Sequence, residues 1–188
     1  MKNIQRDLIK LGFGEILSPF GADGINGNKT KLGIKTLQSE YNKKFKKSIL
    51  VDGIAGSQTK SAISYWLNVA GSYGTYHFKI SEFTCRGKMI AGGMDKLLLT
   101  GLEQLRYNLG GNAIVVNSGY RCSSHNRAVG GIPNSEHLYG RAADIRVVGV
   151  LPSKVYTASD KIFRGVGRYR TFTHVDNGKK RMRFKGGY

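Results

Sequence analysis

The chain is poor in acid. Twelve aspartates and glutamates stand against 30 lysines and arginines in 188 residues, a formal charge of +18. An imbalance of that size draws a protein to polyanions, whether nucleic acid, anionic membrane or anionic cell-wall polymer, without choosing among them. Cysteine is scarcer still: Cys85 and Cys122 are too few for a disulfide scaffold. They read as two buried thiols, because nothing signals export. No stretch approaches the roughly 20 apolar residues of a membrane span. The opening Met1-Lys-Asn-Ile-Gln-Arg-Asp-Leu-Ile-Lys10 lacks a continuous apolar core. A secretory signal is therefore not expected, and synthesis in the cytoplasm is. Histidine is confined to four positions, 77, 125, 137 and 174.

What remains is ordinary for a soluble globular protein, with 40% hydrophobic and 22% charged residues. The length suits one large domain or two small ones. Ile4, Leu8 and Leu11 share a helical face that ends at Gly12. Two similar phrases follow. Asp23-Gly-Ile-Asn-Gly-Asn-Lys-Thr30 is echoed by Asp52-Gly-Ile-Ala-Gly-Ser-Gln-Thr59. In each, Asp-Gly marks a tight turn and the threonine sits where a helix begins. Ile34, Leu37 and Tyr41 line the first of the helices that follow; Ile63, Trp66 and Leu67 line the second. Lys43-Lys-Phe-Lys-Lys47 reads as a solvated basic patch. These residues resemble a three-helix peptidoglycan-binding domain over residues 1–69, and a small polar stretch at 70–76 reads as a linker.

From 77 to 188 helices and strands mix. His77–Phe83 is expected as a short strand or an edge segment, Met94–Asn108 as a helix, and Ala113–Asn117 as a buried strand. Ser118–Asn126 reads as a loop, Ala143–Val148 as a strand, Pro152–Phe163 as a helix and Arg168–Asp176 as one strand. The tail, Lys179–Lys185, is an edge strand or a solvated end. Within this region Asn134-Ser-Glu-His-Leu-Tyr-Gly-Arg-Ala-Ala-Asp144 stands out. Small residues between His137 and Asp144 let the backbone turn so that imidazole and carboxylate meet, and zinc accepts both as ligands. A hydrolytic zinc site needs a third ligand, which His77, His125 or His174 could supply, and an open position for water.

Ser135–Asp144 matches the SxHxxGxAxD signature of the M15-type zinc D-Ala-D-Ala carboxypeptidases, and so resembles that family. Ser118-Gly-Tyr-Arg121, Asn126, Gly130-Gly131 and Phe172-Thr-His-Val-Asp176 fit its other elements in order. The resemblance implies an α+β domain, a small antiparallel sheet with flanking helices, behind the small three-helix all-α domain. It implies one Zn2+ held by His137, Asp144 and His174, with Arg121 facing the substrate. Ser135 would brace the ligand loop or touch substrate. Several branches place a catalytic acid three residues before the last histidine, where this chain has Thr171. Asp176, on the same strand face as His174, then serves as the base or orients His174. His77 reads as structural and His125 as a surface histidine; Tyr139 lines the cleft or packs.

The expected function is a peptidoglycan peptidase, cutting as a carboxypeptidase or as an L-Ala–D-Glu endopeptidase. It would be a monomer acting on the wall in the manner of a phage endolysin or autolysin, with anionic wall polymers aiding retention. The alternative is a zinc-containing wall-binding protein without catalysis. Nucleic acid is not an expected partner, because no nucleic-acid motif accompanies the charge.

Overall fold

A computed structural model describes residues 1–186. Helix α1 (Lys2–Leu11) buries Leu8, Ile9 and Leu11 and stops at Gly12, whose φ of 102° lets the chain reverse. A 3-10 turn (Gly14–Leu17) leads to α2 (Asn28–Phe45) and α3 (Ser57–Tyr73). Their apolar faces close on Leu8, Phe13, Leu37, Ile63 and Trp66, a core of its own. Burying each such side chain contributes roughly 1.5–3 kcal/mol.

The two Asp-Gly phrases build the same network twice. Gln5 Nε2 donates to Asp23 Oδ1 (2.7 Å), Ile25 O (3.1 Å) and Thr30 Oγ1 (3.0 Å), while Gly24 N–H donates to Gln5 Oε1 (2.7 Å). Gln38 repeats this with Asp52 (2.8 Å), Ile54 O (3.4 Å), Thr59 (2.9 Å) and Gly53 N–H (2.9 Å). The threonines lie inside the first turn of each helix rather than at its start. Each donates back to the turn, to Ile25 O or Ile54 O. The basic run at the end of α2 is only partly solvated. Phe45 packs against Tyr41, Tyr65, Trp66 and Tyr73, and Lys44 Nζ lies 5.6 Å over the Trp66 ring.

The stretch expected as a linker begins as helix. α3 runs through Tyr73 with Ala70 and Gly71 buried. Gly71 is small because a Cβ there would strike the carbonyl of Met94, whose N–H donates to Gly71 O at 2.9 Å. Just beyond, Thr75 Oγ1 donates to the buried carboxylate of Glu103 (2.6 Å), as does His77 N–H (2.9 Å), and His77 Nδ1 lies 2.8 Å from it. Tyr76 N–H donates to Leu11 O at 3.0 Å.

The second half is a five-stranded sheet in the order β1-β2-β4-β3-β5. Its strands are β1 (Ile114–Ser118), β2 (Ala142–Val147), β3 (Gly165–Arg168), β4 (Thr173–Asp176) and β5 (Met182–Lys185). All pairings are antiparallel except β3 with β5. Helix α4 (Lys96–Asn108), capped by Asp95, packs Leu98, Leu99, Leu102 and Leu105 against Ile145, Val166 and Val175. Leu97 instead faces out, 63% exposed. Helix α6 (Pro152–Ser159) adds Val155 and ends earlier than expected.

The α+β class stands, with a mostly antiparallel sheet and helices preceding it. Several elements differ from expectation. His77–Phe83 contains a 3-10 turn (Ile80–Phe83), not a strand. β1 is an edge strand of alternating exposure, so its β-branched residues cover one face only. Ser118–Asn126 holds part of a short helix, α5 (Ser123–Ala128). Arg168–Asp176 is a hairpin: Tyr169 N–H donates to Phe172 O (3.0 Å), the two rings stack at 4.2 Å, and strand resumes at Thr173. The basic tail forms β5, an edge strand.

Candidate metal centre

The distinctive stretch folds as its small residues require. Ser135 leads into a 3-10 turn (Glu136–Tyr139) closed by Gly140 at φ 64°, where a side chain would also crowd Ile90. Ala142 and Ala143, wholly buried, then start β2. The register of β2 on β4 sets Asp144 directly opposite His174, so both side chains rise from one face of the sheet. His137 reaches the same point from the turn. Its Nε2 lies 3.3 Å from His174 Nδ1 and 3.3 Å from Asp144 Oδ1, and these last two are 2.9 Å apart. Among the described residues, this is the single cluster of three or more His, Cys, Asp or Glu side chains able to share a metal ion.

The triangle fits a tetrahedral ion. Ligand atoms about 2.0–2.1 Å from a metal, at tetrahedral angles, stand about 3.3 Å from one another. Partners behind the ligands fix the imidazole tautomers. His137 Nδ1 lies 2.6 Å from Gly119 O, to which it can only donate, leaving Nε2 a lone pair aimed inward. His174 Nε2 lies 3.1 Å from Asp176 Oδ2, which aims Nδ1 inward. Asp144 uses one oxygen in the triangle, and its other accepts from Arg121 Nη2.

Protonation follows the same logic. Burial pushes His137 below the usual histidine range, with Asp144 opposing, which favours the neutral imidazole. Burial pushes Asp144 up, but the two imidazoles set against it, His137 and His174, outweigh that and hold the carboxyl well below the usual carboxylate range. Burial pushes His174 down, but Asp144 and Asp176 outweigh it and raise it to about 9. The pocket favours positive charge at this point, in a chain that carries an excess of it nearly everywhere else.

The structure brings together four of the six site residues read from the sequence, His137, Asp144, His174 and Asp176, and sets Arg121 against them. Asp176 has both oxygens engaged, Oδ2 on His174 and Oδ1 accepting from Gly178 N–H at 2.7 Å. Of its two expected roles, this geometry suits orientation of His174, with a second lone pair remaining on each oxygen. Arg121 is anchored on Asp144 and, through Nε, on Ser118 Oγ at 2.8 Å. Ser135 is buried, and its carbonyl accepts from Leu138 N–H at 3.0 Å, bracing the turn. Thr171 is exposed in the β3–β4 turn. Tyr139 is 49% exposed, with the Arg141 guanidinium 4.7 Å over its ring. His125 lies beside Cys85 instead, its Nδ1 3.5 Å from Sγ. Cys85 and Cys122 are both free thiols, and Cys122 is only partly buried. The sequence reading missed Gly119, Ser118 and Gly178, which act through backbone or a short hydroxyl. Ser118 and Gly119 had one signal, membership in the Ser-Gly-Tyr-Arg phrase; Gly178, two residues past the His-Val-Asp phrase, had none.

A three-ligand centre on an antiparallel sheet, preceded by a helical module, defines the broad class of protein. The chain belongs to the peptidase M15 family, whose pattern matches residues 76–176, just over half of it. Residues 1–63 match a putative peptidoglycan binding domain. A zinc D-Ala-D-Ala carboxypeptidase of Streptomyces albus G is 33% identical over 131 residues, covering 65% of this chain and 49% of the relative. A probable peptidoglycan L,D-endopeptidase of Haemophilus influenzae is 39% identical over 98 residues, covering 47% of this chain and 53% of that protein. The chain thus spans about half the length of the curated relatives it matches.

Proposed function

We propose that the protein is a zinc-dependent peptidase acting on the peptide stems of peptidoglycan, with residues 1–69 as wall-binding module, 70–76 as junction and 77–188 as peptidase domain. The observation that carries the reading is the convergence of His137 Nε2, His174 Nδ1 and Asp144 Oδ1 at tetrahedral spacing. Zinc bound there supplies a Lewis acid and a water acidified toward a pKa of about 7. With the ion bound, His137 and His174 would present neutral nitrogens, His174 giving up the proton that Asp144 and Asp176 otherwise hold on it, and Asp144 would bring the negative charge. Asp176 holds His174, and the carbonyl of Gly119 holds His137. Arg121 orients Asp144 with part of its fork; a guanidinium has five N–H donors, so capacity remains for a substrate carboxylate. Ser135 keeps the ligand turn in place. The relatives are named for different stem bonds, and the proposal covers both carboxypeptidase and endopeptidase cleavage. An endolysin or autolysin role at the wall, with retention on anionic polymers by the +18 charge, accords with the charge and the helical module.

The test is mass spectrometry of purified muropeptides after incubation, alongside zinc content. Wild type should release a D-Ala or split the stem. His137→Ala should lose both zinc and cleavage while still sedimenting with sacculi. Stoichiometric zinc without released fragments would instead establish the wall-binding reading, which Thr171 at the usual acid position favours.

A further inference from the structure

The outer face of α3 is unlike the rest of the surface. Ser57, Gln58, Ser61, Ser64, Tyr65 and Asn68 are exposed there, and the helix contains no aspartate or glutamate. Serine and asparagine are poorer helix formers than lysine, glutamate or alanine, so helix stability alone does not account for them. The neighbouring α2, by contrast, exposes Lys29, Lys31, Lys35, Lys43 and Lys44.

This face is also concave. Ser61 and Tyr65 line two adjoining hollows, one of about 500 Å³ toward Gln58 and one of about 860 Å³ running past Ser64 and Asn68 to α4. From Gln58 to Asn68 the helix runs about 15 Å at 1.5 Å per residue. Tyr65 stands between the hollows, 43% exposed, its ring held edge-on by Tyr41 (6.2 Å, 89°) and Phe45 (5.2 Å, 87°). A ring so held is a platform that loses little freedom when covered.

We propose that this groove seats the glycan strand of the wall polymer, an inference that rests on the wall-peptidase reading above. Pyranose rings present C–H groups to an aromatic face, and hydroxyl and acetamido groups to hydroxyl and amide side chains. Tyr65 supplies the first kind of surface; Ser61, Ser64 and Asn68 supply the second. Lys60 and Lys96 flank the larger hollow and meet the carboxylates of attached peptides, with no carboxylate among its lining residues to compete. The groove ends on the peptidase half. Lys96 Nζ donates across it to Asn68 Oδ1 at 2.8 Å, and one residue before Lys96 the Asp95 N–H donates to Gly140 O (2.9 Å), in the turn between His137 and Asp144. A strand held on α3 is thus tied to the element that carries the ligands.

The experiment uses the full chain and sacculi whose stem peptides have been stripped by an amidase. Wild type should bind these bare glycan strands. Tyr65→Ala, and separately Ser64→Arg, which fills the groove from an exposed position, should each weaken binding at least ten-fold with thermal unfolding unchanged. Tyr65→Phe should bind as wild type does. Failure of wild type to bind bare glycan overturns the proposal, as does full binding by both groove variants. Weakened binding only to a purified phosphodiester wall polymer overturns it too. Cleavage of soluble muropeptides by wild type is scored separately, so loss of the groove leaves the peptidase reading standing, and the reverse.

Discussion

The two halves of the molecule handle buried polar groups in opposite ways. In the helical half, Gln5 and Gln38 each satisfy an aspartate, a carbonyl, a threonine and a backbone N–H within the chain. Donors meet acceptors and each network closes. In the sheet half, two imidazole nitrogens and a carboxylate oxygen converge on one point, and the opposite ring nitrogens face Gly119 and Asp176. Closed networks hold shape; converging ligand atoms await a cation. Burial alone separates them poorly, since Gln38 and His137 are equally hidden at 1% exposure.

Four experiments press on that contrast. Asp144→Ala removes the charged ligand and should abolish stoichiometric zinc and cleavage together; metal analysis of the purified variant reads the first directly. Asp176→Asn keeps the size but weakens the hold on His174. Zinc affinity should fall about 10–100-fold, the usual cost of losing a partner behind a ligand, and competition with a chelator measures it. Unaltered affinity would return Asp176 to the role of base. Gln38→Ala and Gln5→Ala should each destabilise the helical half by about 2–4 kcal/mol, because buried partners are left unpaired, and by similar amounts if the two networks are equivalent. Denaturant melts provide the numbers, and zinc binding should not move.

The last test concerns pH. His174 is raised to about 9 in the folded chain against about 6.5 unfolded. A raised value adds stability that is complete below pH about 6.5 and is lost as pH climbs through about 9. Metal-stripped protein should therefore melt at progressively lower temperature across that window. Zinc-loaded protein should not, since its His174 is neutral throughout. Parallel profiles for the two forms would contradict the assigned hydrogen bonds.

The ligands were legible because each sits in a short contiguous phrase, and because strand parity alone puts residues 174 and 176 on one side. What pairs Asp144 with His174 was not, since register depends on sheet order, which no local pattern encodes. Alternation ran unbroken through Arg168–Asp176 and concealed the turn at Tyr169–Phe172, where ring stacking replaces strand pairing. Helix α5 has six residues and no apolar period to find. The repeated turns were visible by their constant Asp-to-Thr spacing. The glutamines that close them were harder to see, because Gln5 lies 18 residues before its aspartate and Gln38 only 14. At Ala70-Gly71 small size was mistaken for looseness. Gly71 is small because the Met94 carbonyl leaves it no room, and Ala70 is wholly buried in the helix.

On the proposed reading, that crowded junction sets how the peptidase would work on a surface. Where the chain passes between halves, Glu103 gathers Thr75 and His77, and Tyr76 is tied back to Leu11. A floppy tether lets a tool sample many distances from its anchor, diluting it over the volume swept. A stapled joint gives one reach and one heading. An anchored molecule of this shape would work through the stems at a fixed offset from its foothold and need a new foothold for the next, and loosening the staple at Glu103 would trade that accuracy for range.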